Sequence, residues 1–177
     1  LNITRCVLDV RLRGSLELSA IALRNCPELR LENTFLFGRL CKGIVWKADD
    51  SPAVAQKTKL FVTNSILFAG EGLWVDLKKS SSAVAEIVRS TLYGPMAIYL
   101  PPSLTTGDLE INSRRSLFDT RLITLDGRDV PEHRMPKWVR WGERENLYSP
   151  ARHYIAGRPP NDFGPSTLSE WNEFWKQ

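Results

Sequence analysis

Residues 3–24, ITRCVLDVRLRGSLELSAIALR, change hydrophobic period once. From Cys6 to Leu12 every second residue is apolar, whereas Leu18, Ile21 and Ala22 fall at helical spacing. The stretch predicts a half-buried strand feeding a short helix over residues 16–25, with Ser15 as N-cap and Pro27 as stop. Arg5, Asp9 and Arg11 interleave with the apolar set, which gives this strand one core face and one wet, partly basic face.

Working outward, FLFGRLCKGIV (35–45) alternates again and predicts a second strand, and residues 46–58, which contain Asp49-Asp50-Ser51-Pro52, read as a long surface connection. KLFVTNSILFAG (59–70) places two apolar runs around Thr63-Asn64-Ser65, the chemistry of a tight hairpin, because Asn tolerates positive φ. Leu73 to Leu77 reads as a short strand. Residues 81–93 predict a helix with Val84, Ile87, Val88 and Leu92 on one face and Gly94-Pro95 as its end. Beyond it, residues 95–100 and part of 117–130 read as strands, and residues 131–165 as an irregular arm packed by its aromatics. Thr167 and Glu170 form a capping box. Leu168, Trp171 and Trp175 then make a stripe that must dock on this domain or on a partner. No repeat at a fixed period stands out, and the organisation divides at residues 1–94 and 95–177.

Of the 177 residues, 42% are hydrophobic, enough for a core, and the net charge of +4 permits a polyanionic partner without requiring one. Cys6, Cys26 and Cys41 are an odd number at dispersed spacing, which predicts free thiols in a reducing compartment rather than a disulfide framework or a metal site. No apolar run reaches the roughly 18–20 residues of a membrane span, and the first residues lack the pattern of a secretory leader. His133 and His153 stand far from any nucleophile motif, and Gly70-Glu71-Gly72 lacks the rest of a phosphate loop. The expectation is a non-enzymatic protein without cofactor or metal.

The order of strand, short helix, strand, hairpin and longer helix in residues 3–93 resembles one repeat of the TATA-box-binding protein family. Val10, Leu12, Leu16, Leu18, Ile21, Ala22, Leu23 and Arg24 match its strand-then-helix stretch. Phe35 and Phe61 stand where the family has phenylalanines that wedge between DNA base steps. The resemblance implies an α+β fold, an antiparallel curved sheet with two helices on one face, followed by a C-terminal extension of short strands, arm and terminal helix.

On that sheet, alternation puts Leu8, Leu36, Leu40, Leu60, Val62, Ile66 and Phe68 under the helices. The opposite, concave face would carry Arg5, Val7, Arg11, Phe35, Phe37, Arg39, Lys59, Phe61 and Leu67 and contact duplex DNA in the minor groove, in an intracellular protein of transcription initiation, nuclear if eukaryotic. The alternative is a protein–protein interaction or assembly module that uses the same apolar face together with Leu168, Trp171 and Trp175. Its partner would be a transcription factor, another protein or a second copy.

Overall fold

A computed structural model describes residues 1–9, 18–48, 57–77, 81–101, 108–125, 139–149, 155–156, 165 and 167–175. Fourteen strands precede one helix in these segments: β1 (Asn2–Thr4), β2 (Val7–Asp9), β3 (Ser19–Arg24), β4 (Glu28–Glu32), β5 (Phe35–Ala48), β6 (Lys57–Thr63), β7 (Ile66–Leu77), β8 (Ser82–Val88), β9 (Thr91–Leu100), β10 (Asp108–Arg114), β11 (Leu117–Leu125), β12 (Val139–Arg144), β13 (Leu147–Tyr148), β14 (Ile155–Ala156) and α1 (Leu168–Phe174). Every pairing among them is parallel. Sheet A runs β1-β4-β6-β8-β10-β12. Sheet B runs β2-β5-β7-β9-β11-β13, with β3 also on β5 and β14 on β11. The chain crosses from sheet A to sheet B within each turn and climbs one strand spacing, about 4.8 Å, per turn. The result is a parallel β-solenoid of six rungs.

One corner builds all six rungs. Arg5, Asn33, Asn64, Arg89, Arg115 and Glu145 each adopt positive φ, between 48° and 56°, and each joins a sheet A strand to a sheet B strand. The left-handed residue turns the chain in a single step. The residue after it points inward and, in the four rungs from 2 to 5, is a buried hydroxyl: Thr34, Ser65, Ser90 and Ser116, each no more than 3% exposed. The kink takes the amide of that residue out of the regular ladder, and the side chain of the next rung accepts its hydrogen bond. Thr34 N donates to Ser65 Oγ (3.1 Å), Ser65 N to Ser90 Oγ (3.1 Å), Ser90 N to Ser116 Oγ (3.2 Å) and Ser116 N to Asn146 Oδ1 (3.0 Å). Each hydroxyl in turn donates to the carbonyl two residues earlier, at 2.8–3.1 Å. The corner is thereby a buried polar column with its amides satisfied.

The core between the sheets is stacked in register. Leu29, Leu60, Ala85, Ile111 and Trp141 form one row on sheet A. Ile21, Ile44, Leu73, Ile98 and Ile123 form another on sheet B. All ten are at most 7% exposed. At the last rung α1 closes the end. Thr167 and Glu170 form the expected capping box, and Trp171 lies fully buried with its ring edge-on to Trp141, centroids 5.3 Å apart. Glu143 accepts from the indoles of Trp141 (3.3 Å) and Trp171 (3.1 Å) and from the Tyr148 hydroxyl. The Leu168, Trp171, Trp175 stripe therefore docks on this chain, although Leu168 keeps 44% of its surface exposed.

The all-parallel solenoid overturns the likeness to the TATA-box-binding family, and with it the α+β class, the antiparallel curved sheet and the two covering helices. Within 16–25, Ser19–Arg24 is strand: Ile21 and Leu23 are buried beside Ile44 and Trp46 while Ala22 and Arg24 face out. SAIALR satisfies a period of two as well as it satisfies a helix, and pairing with β5 decides it. The same holds for 82–88, where Ala83, Ala85 and Ile87 are buried and Ser82, Val84, Glu86 and Val88 are partly exposed. The expected hairpin at Asn64 is a corner, so β6 and β7 lie in different sheets. Positive φ at Asn64 is correct, but the change of sheet shifts the alternation by one residue. Ile66 and Phe68 point outward, and Leu67 and Ala69 point into the core. The rungs continue on either side of Gly94-Pro95: β9 pairs β7 both before and after these two residues, and β8 pairs β6 and β10 in sheet A.

Candidate interaction face

The outer side of sheet B between the corner and mid-strand carries two rows. Val7, Phe35, Ile66, Thr91, Leu117 and Leu147 are paired in register just after the corner. Two residues further on, Asp9, Phe37, Phe68, Tyr93 and Asp119 form the second row. The aromatics of the second row stack: Phe37 on Phe68 at 4.9 Å between centroids, and Phe68 on Tyr93 at 4.8 Å, with rings within 20° of parallel. The strand spacing imposes this pitch, so in-register aromatics become a continuous stack. Ten large hydrophobic side chains are exposed among the described residues. Seven of them (Val7, Phe35, Phe37, Ile66, Tyr93, Leu117 and Leu147) stand in these two rows, and an eighth, Leu40, borders them.

The rows end where the strands bulge. Between Gly38 and Lys42, β5 holds three residues, Arg39, Leu40 and Cys41, where β7 holds only Gly70. The two extra residues push Leu40 out to 75% exposure, although simple alternation assigns it to the core. Cys41 folds back, its thiol donating to the Gly38 carbonyl at 3.1 Å, and burial raises its pKa, the wrong direction for a nucleophile. On β9 the bend falls at Gly94-Pro95. Gly94 has φ of 139°, and a Cβ there would run into the Ala69 carbonyl oxygen. Proline is tolerated within an interior strand at such a bulge. A cleft of about 290 Å³ opens beside the bulge, walled by Leu18, Leu40, Pro95 and Met96, with Arg39, Lys42 and Glu71 at its margins.

The nine residues assigned to a DNA face do not form one surface. Val7, Phe35 and Phe37 lie in the apolar rows, Arg5 at the corner and Arg39 at the bulge. Lys59 and Phe61 are on sheet A, facing the other way, with the Arg30 guanidinium 4.0 Å above the Phe61 ring. Leu67 is in the core, 2% exposed. Arg11 lies outside the described residues, as do His133 and His153. Phe35 and Phe61 lie on different sheets and cannot wedge into one groove, so the pair of wedges implied by the likeness falls with the fold.

A signal for the missed members was present. Asn33-Thr34-Phe35-Leu36-Phe37, Asn64-Ser65-Ile66-Leu67-Phe68 and Arg89-Ser90-Thr91-Leu92-Tyr93 share one five-residue pattern, with weaker copies at Arg5, Arg115 and Glu145. Among the described residues no cluster of three or more His, Cys, Asp or Glu is placed to hold a metal, and no helix is long and apolar enough to cross a membrane. No family model, no curated protein and no solved structure matches the chain.

Proposed function

We propose that this chain is a non-enzymatic recognition module that binds a protein partner through the apolar rows of sheet B. The observation that carries the reading is the gathering of eight of ten exposed large hydrophobics on and beside one face, since scattered exposed apolar groups are ordinary and a contiguous patch marks an interface. The stacked rings turn their faces toward each other and offer edges to the outside. That surface suits broad apolar contact with a protein better than stacking on a sugar or a base. A second copy of the chain is disfavoured because the exposed Arg39 and Arg89 border the centre of the rows, and a face-to-face pair in register would bring like charges together.

The test is photo-crosslinking in an extract of the source cells with benzoylphenylalanine at position 93 or, on the opposite sheet, at position 61. Position 93 should give discrete protein adducts that position 61 does not. The purified adduct partner should then bind the wild-type chain and lose at least about tenfold in affinity to Ile66→Asp, the tenfold corresponding to roughly 1.4 kcal/mol. Equal labelling from both positions, or equal binding of Ile66→Asp, overturns the proposal.

A further inference from the structure

The cleft at the Arg39–Cys41 bulge narrows the chemistry of that partner. We infer that it receives an apolar side chain flanked by carboxylates, presented by an acidic segment of a protein, an assignment that rests on the interaction reading above. The bulge holds Leu40 at 75% exposure beside a cavity that already has Leu18, Pro95 and Met96 as apolar walls. A leucine left in water forgoes the stabilisation of burial, and a side chain seated against it recovers part of that on binding. At about 290 Å³ the cleft lies at the small end of ligand sites, a size for one or two side chains rather than a cofactor.

Charge supplies the second half. Arg39 is exposed at the cleft and Arg89 at the corner across the rows, whereas Lys42 is half-buried with its ammonium 4.8 Å over the Trp74 ring, and Glu71 is the single acid that lines the cleft, one carboxylate oxygen buried in its wall. The acids of the second row, Asp9 and Asp119, stand outside rungs 2 to 4. An occupant with an apolar centre and acidic flanks matches this order of groups along the face, and a basic one is repelled. The rings are packed against one another at 38–48% exposure, for Phe35, Phe37 and Tyr93, rather than projecting as membrane wedges, which favours a protein segment over a lipid surface.

The experiment is selection of a displayed library of random 12-residue peptides on the full chain, with counter-selection on Arg39→Glu. Titration of the enriched peptides, and of vesicles of phosphatidylcholine with and without phosphatidylserine, follows. Enriched peptides should pair Leu, Ile, Met or Phe with Asp or Glu, weaken at least about tenfold with Leu40→Asp or Arg39→Glu, and weaken with added salt. Both substitutions are at exposed positions, so a melting temperature within a degree or two of wild type separates lost binding from lost fold. Peptides lacking acids, or binding indifferent to both substitutions but lost in Ile66→Asp, overturn the cleft assignment and leave the interaction face standing. Vesicle binding in place of peptide binding, or no peptide dependent on Ile66, overturns both.

Discussion

The two outer faces of this solenoid are built by the same rungs at the same spacing, yet they carry opposite chemistry. Sheet A is covered by groups that answer one another. Arg30 pairs with Glu28 at 2.6 Å and covers Phe61, Asn112 donates to Glu86 and Glu110 at 3.1 and 2.9 Å, and Arg140 stands 3.7 Å from Glu110. On sheet B, Lys42 and Lys47 cover the Trp74 ring at 4.8 and 5.0 Å beyond the bulge, whereas the two rows beside the corner present stacked rings and aliphatic ends to the outside. Neither face is needed to make the fold, because the inward rows and the corner column already specify the pairing. Outward positions are therefore free to differ in chemistry: groups that pair with their own neighbours on sheet A, and on the corner half of sheet B the apolar rows that the proposed partner would cover. Exposed ion pairs such as those of sheet A are worth only a few tenths to 1 kcal/mol each, so the contrast is one of recognition more than of stability.

The largest expected effect comes from the bulge that ends the apolar rows. Gly94→Ala places a side chain at a φ of 139°, into the Ala69 carbonyl. It should cost about 3 kcal/mol or more, seen as a lower midpoint in urea, and should detach Tyr93 from Phe68 so that partner binding falls with it. If Gly94→Ala is as stable as wild type, the bend is not where the structure puts it. Next is the corner that both faces share. Ser90→Ala removes the acceptor for the buried Ser65 amide, and a loss of about 1–3 kcal/mol is expected. A loss within 0.5 kcal/mol would mean that water replaces the hydroxyl and that the column is not a determinant of the fold.

A third prediction leaves stability alone and moves only the surface. The native chain should bind a hydrophobic dye such as anilinonaphthalene sulfonate, and Phe35→Ser with Ile66→Ser and Tyr93→Ser should remove most of that fluorescence. Phe61→Ser should leave it unchanged because that ring sits beneath Arg30 on the other sheet. Equal loss from both would erase the distinction between the faces.

What could be read from the residues alone was local and phase-dependent. The strands over 35–45 and 59–62, the positive φ at Asn64 and the capping box at Thr167 all follow from nearest-neighbour chemistry, and the fold has each of them. The topology was hidden for two reasons. Connections of different length place the six corners 25 to 31 residues apart, so a search for a constant period passes over a five-residue pattern that does recur. Strand 82–88 has small Ala83 and Ala85 on its inner side and apolar Val84 and Val88 on its outer side, so no clean alternation shows and helical and strand periods fit equally until parallel neighbours are in place. The interaction face suffered from the same phase error. Phe35 and Phe37 lay before the corner at Asn64 and were assigned to the outside, whereas Ile66 and Phe68 lay after it and were assigned to the core.

The smallest expected effect isolates sheet A through pH. The hydrogen bond from Arg30 lowers the pKa of Glu28 below its ordinary value of 4.5. A carboxyl whose folded pKa is depressed contributes stability that is present above its unfolded pKa and lost as pH falls through the folded one. The side chain keeps 42% of its surface exposed, so solvent screens the interaction and the contribution is slight, but its sign is fixed. Melting temperature followed from pH 6 down to pH 3 should therefore converge for wild type and Glu28→Gln, with wild type higher at pH 6 and the gap closing below about 4.5. Ile66→Ser, on the apolar face, should run parallel to wild type over the same range, because no titrating group has been touched. If the sheet B variant also converges, acid acts on both faces alike, and the division into a self-paired polar side and an unpaired apolar side is wrong.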